Sequence, residues 1–232
     1  PGIDRPQAGC LQSGPMTDSP VGAVLLILLI AVMLWFVFGT QRNVRRGNQT
    51  LRWLQEGLPG LGRKTTMRWL GSSAVVLRIG EAAEPFREAE VVVVLQPRDI
   101  PLVWAFSRHR GRRDFLVLRG WLRKAPTFEA EAGDARGWTG DDRLKRLDTE
   151  VWREAGWGDE HVRAYVSAEA QPAVARQAWE ALAAASGGVW RLSIRREHPH
   201  LEAHVLPPEP DGSAELLVET FREVGRSVMA RG

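Results

Sequence analysis

Val21-Gly-Ala-Val-Leu-Leu-Ile-Leu-Leu-Ile-Ala-Val-Met-Leu-Trp-Phe-Val-Phe38 runs for eighteen residues without a charged or strongly polar side chain. At roughly 1.5 Å per residue it reaches about 27 Å, close to a hydrocarbon core of about 30 Å. Lipid offers no hydrogen-bond partners, so a segment crossing it must satisfy its own backbone as a helix. Trp35 and Phe36 suit the aromatic belt at a membrane boundary. A cleaved leader would show a basic start and a small-residue cleavage site. Here Asp4, Arg5 and Asp18 are the only preceding charges, and Phe38-Gly39-Thr40-Gln41 offers no such site. Residues 21–39 therefore read as a single transmembrane helix.

The flanks orient it. Asp4 and Asp18 outweigh Arg5 before the run, whereas Arg42, Arg45, Arg46 and Arg52 follow it ahead of the first acid, Glu56. An excess of basic residues marks the cytoplasmic side. The expectation is a single-pass membrane protein with its N-terminus outside and residues 41–232 in the cytosol. Residues 1–20 mix Pro, Gly, Gln, Ser and Asp without periodicity and read as a short disordered outer tail. The opening Pro1-Gly2, without Met, is what a fragment lacking its true start would show.

About 190 residues follow the span, enough for one domain of ordinary size or two small lobes, 73–132 and 141–232. Hydrophobic residues at 44% and charged residues at 25% are a globular composition. The net charge is only +3, but Lys64, Lys124 and Lys145 are the only lysines among 31 basic residues. The positive charge is therefore almost all guanidinium. Cys10 is the one cysteine, which excludes an intramolecular disulfide and any zinc site built on cysteine pairs.

Residues 40–72 read as a basic neck helix and linker, with Leu51, Trp53 and Leu54 forming an apolar patch before Gly57-Leu-Pro-Gly60 breaks the helix. From 73 to 232 the texture is that of one layered domain. Ala74–Ile79, Glu90–Leu95 and Leu102–Phe106 read as strands. Asp114–Leu122 leans towards a helix capped by Asp114, and Thr127–Glu131 is a further strand before a Gly/Asp loop at 133–142. Asp141 or Asp142 caps a helix through Leu144, Leu147, Val151 and Ala155. His161–Val166 alternates as a strand, and Pro172 to Gly187 brackets an Ala-rich helix. Val189–Ile194 and Leu201–Val205 are strands, and Glu215–Met229 is a last amphipathic helix. The order implies an α+β fold, with a mainly antiparallel or mixed sheet, and not a Rossmann-type sheet.

Two clusters carry candidate chemistry. On a strand of period two, His198, His200, Glu202 and His204 share a face as candidate metal ligands. Same-face neighbours lie about 6.6 Å apart, so a linear array needs further elements to wrap an ion. The second cluster is basic: Arg108, Arg110, Arg112 and Arg113 around Gly111, with Arg42, Arg45 and Arg46 of the neck. Guanidinium groups bind phosphate bidentately, and anionic headgroups attract each nearby basic side chain by about 1 kcal/mol. These seven arginines are candidate contacts for anionic lipid or RNA. Glu129, Glu131, Asp134, Asp141 and Asp142 read as ordinary surface acids. No P-loop, dinucleotide-binding, nucleophile-elbow or H-E-x-x-H pattern occurs. No cofactor or small-molecule substrate is indicated.

The layout resembles the calumin family, single-span membrane proteins whose cytosolic α+β domain works with insertion chaperones beside the ribosome-bound translocon. The resemblance rests on Phe38-Gly39 at the end of the span, Arg42 and Asn43, and Trp53-Leu54 on the neck. It extends to the strand at Val189–Ile194, the one ending Val205-Leu206-Pro207, and the apolar last helix. That family carries a long acidic outer segment and a basic C-terminal tail that this sequence does not show. What the resemblance implies is a non-enzymatic interaction module assisting membrane-protein biogenesis, with a membrane-protein partner and a ribosome or anionic lipid nearby. A metal-binding enzyme or sensor on the histidine strand, and an anchored lipid- or RNA-binding domain, are the alternatives.

Overall fold

The computed structural model describes residues 20–140, 144–147, 151–157, 159–167, 172–208 and 212–230. Residues 1–19 with Cys10, and the caps Asp141 and Asp142, lie outside the described residues. The apolar run does not end in a separate neck: α1 is one helix, Pro20–Leu61. It leads into β1 (Gly62–Leu70), β2 (Ala74–Ala82) and β3 (Phe86–Val94), then α2 (Pro101–His109). β4 (Phe115–Leu122), β5 (Ala130–Asp134), a 3-10 turn at Leu144–Arg146, β6 (Trp152–Ala155) and β7 (Val162–Ser167) follow. The chain closes with α3 (Pro172–Ala185), β8 (Val189–Ile194), β9 (Leu201–Val205) and α4 (Ala214–Ala230).

All nine strands form one antiparallel sheet in the order β1-β2-β3-β4-β9-β8-β5-β7-β6. The fold is α+β, as the element order implies. β1 occupies residues assigned above to the linker. Directly opposed residues share a face, so the register defines what each face presents. Leu77, Val91, Leu118, Ala203, Leu192, Ala132 and Ala164 follow one another across seven strands and are all buried. The lower half of α1, α4 and α3 cover this side and close the main core with it.

α1 changes character along its length. From Val21 to Phe38 its large apolar side chains are exposed, and its most apolar window is 0% buried. Below that it becomes one-sided: Gly39, Asn43, Gly47, Leu51, Leu54, Leu58 and Leu61 are buried at spacings of three and four. Gly57 and Gly60 belong to this packed face and do not break the helix. A β-carbon on Gly57 would lie 2.5 Å from the Ala214 carbonyl oxygen, so glycine here lets α1 and α4 touch.

Three elements differ from the sequence reading. Leu102–Phe106 is not a strand but lies in α2, where Pro101 fits the first turn and Gly111, at φ +76°, follows the helix end. Phe115–Leu122 is not a helix but the central strand β4. Its near-continuous apolar run fits a strand covered on both sides, because Phe115 and Val117 form a second small core with Trp190. The helix expected through Leu144–Ala155 is replaced by the 3-10 turn and the edge strand β6. Four matching positions are too few to outweigh strand pairing of Trp152–Ala155 with β7.

Candidate functional site

The face of the sheet away from the helices carries a row of charge. Thr66, Arg78, Glu90, Arg119, Glu202, Ser193, Glu131, Tyr165 and Glu154 stand opposite one another across all nine strands. Arg78 reaches Glu90 at 3.2 Å, Arg119 reaches Glu90 at 2.9 Å and Glu202 at 2.8 Å. Arg191 bridges Glu202 at 3.5 Å and Glu131 at 3.3 Å, and Arg195 reaches Glu131 at 2.7 Å. Ser193 also donates to Glu131. Glu131 is thus no surface acid: it is 0% exposed and wholly enclosed by donors. Glu90, Glu202 and Glu131 each meet at least two cations, so this part of the row neutralises itself.

The histidine strand joins this lattice and does not form a ligand cage. His204 contacts Glu202 through Nε2 at 3.1 Å and Thr139 through Nδ1 at 2.8 Å, and stacks on Phe115. The rings of His198 and His200 lie 4.3 Å apart. Among the described residues, no group of three or more potential ligands is placed to hold a metal ion. Burial raises the Glu202 carboxyl, but hydrogen bonds and charge from His204 and Arg119 outweigh it and bring its pKa to about 2. Glu202 is therefore a fixed anion at neutral pH. Burial, with the charges of His198 and Arg87, keeps His200 below the ordinary histidine value against a bond to the Leu122 backbone.

A different arrangement exists where α1 leaves its apolar run. The β3–α2 loop is bound to α1 by specific polar contacts. Asn43, fully buried, donates to the Gln96 carbonyl at 3.0 Å and accepts from Arg98 at 3.1 Å. Trp35 donates its indole N–H to the Arg98 carbonyl at 3.0 Å. Arg98 makes a two-pronged contact with Asp114, at 3.0 and 2.9 Å, and Gln96 accepts from the Trp104 indole at 3.1 Å. Gly39 makes the approach feasible: a β-carbon there would fall 2.2 Å from the Arg98 carbonyl oxygen.

These contacts hold α2 beside the end of the apolar run, with the Trp35 and Trp104 rings 6.0 Å apart. Between them lies a cleft of 380 Å³ lined by Trp35, Phe38, Arg42, Arg46, Trp104 and Arg108, with Gln96 and Arg98 behind. Its size falls within the roughly 300–1,000 Å³ of small-molecule sites. α2 itself buries only Ser107. Ile100, Leu102, Val103 and Phe106 are exposed, Leu102 by 84%.

The seven arginines named from sequence divide here. Arg42, Arg46 and Arg108 meet in the cleft, and Arg108 lies 5.8 Å over the Trp104 ring. Arg45 and Arg113 are exposed elsewhere, and Arg110 stacks on Phe106 at 4.4 Å. Arg112 turns inward, over Trp138 and towards the Leu95 carbonyl, and burial lowers its pKa. The sequence reading missed Trp104, Gln96 and Arg98. Trp104 was hidden by the strand assignment, and Gln96 and Arg98 by their place between two assigned strands. No protein-family model and no curated protein matches this sequence, so what the cleft does follows from its own chemistry.

Proposed function

We propose that this chain is a non-enzymatic, single-pass membrane protein whose cytosolic α+β domain sits directly on the membrane and serves as an interaction module. α2 carries the reading: a short helix exposing Leu102, Val103 and Phe106 is fixed at the level of Trp35, in the last turns of the apolar run. Exposed apolar surface of this kind marks a membrane or protein contact. α1 passes from the span into the domain core without a break, so the domain does not swing on a tether. The basic residues after Phe38 favour the cytosolic placement of the domain.

The resemblance to the calumin family supplies the partner class, membrane proteins undergoing insertion and the machinery around them. The saturated lattice on the sheet supports a structural role for its glutamates. A photo-reactive residue at Leu102 or Val103 in native membranes tests the reading. Crosslinks to membrane proteins, recovered with the solubilised complex, are expected. Crosslinks to soluble proteins alone, or no membrane or ribosomal protein co-purifying, would refute it.

A further inference from the structure

We infer that the cleft between α1 and α2 is a headgroup site for an anionic glycerophospholipid of the leaflet on which the domain sits. The inference rests on the seating of the domain proposed above, but not on any protein partner. Charge is the first argument. Arg42, Arg46 and Arg108 converge on the cleft, and none has a carboxylate partner among the described residues. Asp114, which is joined to the cleft's rear, is already matched by Arg98 at 2.9 Å. Three converging guanidinium groups without an internal anion suit an external phosphate, which they bind bidentately.

The walls specify which phosphate. Both indole N–H groups are committed to the backbone and to Gln96, so Trp35 and Trp104 are locked and offer ring faces. Arg108 is held over one of those faces. Phe38 extends the aromatic wall and is 71% exposed on the outer side of α1. A free phosphate would meet the arginines but leave these rings bare. A phospholipid fills both parts, its phosphodiester among the arginines and its glycerol and upper acyl chains along Trp35, Phe38 and Leu102. The height agrees: Trp35 lies in the last turn of the apolar run and Arg42 follows about 10 Å further along the helix at roughly 1.5 Å per residue, so the cleft opens where hydrocarbon gives way to headgroups. RNA fits less well, because the cleft lies at the end of the apolar run.

The shared chemistry is a phosphate monoanion or diester, so the test separates its sources. Full-length protein in a neutral mild detergent is titrated with short-chain phosphatidylglycerol, with short-chain phosphatidylcholine and with inorganic phosphate, and binding is read by native mass spectrometry and thermal shift. Saturable phosphatidylglycerol binding is expected, at least about tenfold tighter than either comparison ligand. Arg42→Gln/Arg46→Gln/Arg108→Gln should weaken it by about tenfold or more, each arginine near a headgroup being worth roughly fivefold. Arg45→Gln/Arg113→Gln removes exposed charge outside the cleft and should leave it within twofold. Equal losses in both variants would reduce the effect to general charge and overturn the site. Phosphate binding as tightly as phosphatidylglycerol would overturn the lipid assignment. Trp104→Phe, which keeps the ring but removes the bond to Gln96, should weaken binding in a protein that still folds. If photo-crosslinking recovers membrane partners while no lipid preference appears, the headgroup site fails and the interaction module stands.

Discussion

Arg119 and Arg108 are the same side chain in opposite circumstances. Arg119 on the open sheet lies between Glu90 and Glu202, and its neighbours Arg78, Arg191 and Arg195 are matched the same way. Arg108, with Arg42 and Arg46, faces a cleft that brings no acid to them among the described residues. Where the fold supplies carboxylates, arginine becomes part of the scaffold. Where acids are withheld beside an apolar helix end, it remains available for an anion from outside. The arginine excess in the composition therefore contains two contrasting groups, and they should respond oppositely to mutation.

Glu131→Ala should give the largest response. It removes the nearer of the two carboxylates bridged by Arg191, itself mostly buried, together with the carboxylate that Arg195 reaches, and breaking a buried pair from one side costs about 3–5 kcal/mol. Denaturant unfolding of the detergent-solubilised chain measures this, and a loss below about 1 kcal/mol would show that the lattice is not structural. The acid limb comes next. Glu202 titrates at about 2 in the fold, below its ordinary value, so its contribution is complete above about pH 4.5 and disappears as pH falls towards 2. That contribution is at most about 3 kcal/mol. Thermal stability of the parent should fall through this window, and Glu202→Gln should flatten the fall while lowering stability at neutral pH.

Gly39→Ala sharpens the boundary between the two regions. Its added methyl would meet the Arg98 backbone, and overpacking of this kind costs about 1–3 kcal/mol. It should also disturb the cleft, weakening phosphatidylglycerol binding more than it weakens the sheet. Gly80→Ala, whose β-carbon would have only an ordinary contact at 3.8 Å, is the control. Arg46→Gln should have the smallest effect on stability, within about 0.5 kcal/mol, as expected for a surface change. A loss as large as that of Glu131→Ala would erase the distinction between matched and available arginines.

The elements with clean periodicity were readable from sequence. α3, β7, β8, β9 and α4 all follow the predicted pattern, since their sequences keep a clear period between clear end signals. Phe115–Leu122 was ambiguous for a physical reason: both sides of β4 are covered at one end, which removes the alternation that marks a strand. The apolar run was legible, but its continuity into the core was not. Gly57, Pro59 and Gly60 look like a stop signal, whereas Gly57 is a packing contact with α4 that depends on distant Ala214. The cleft was half visible. Arg42, Arg46 and Arg108 stood out as charge, but their convergence depends on α2 being a helix and on Asn43 bonding across 53 residues to Gln96. The charge lattice had no local signal, because its members lie on six separate strands and become neighbours only through register.

Whether the domain sits on the membrane with α2 in the boundary layer is read by nitroxide depth measurement. With Cys10→Ser as background, Leu102→Cys and Leu216→Cys are labelled singly in the full chain and reconstituted in vesicles. Leu102 lies on α2 beside the end of the apolar run. Leu216 is exposed on α4, near Gly57, about 28 Å further along α1 from Phe38 at roughly 1.5 Å per residue. A domain seated on the bilayer gives a label at Leu102 the oxygen accessibility of a site below the headgroups, and a label at Leu216 that of a site in water. Equal, water-like accessibility at both positions would contradict that seating.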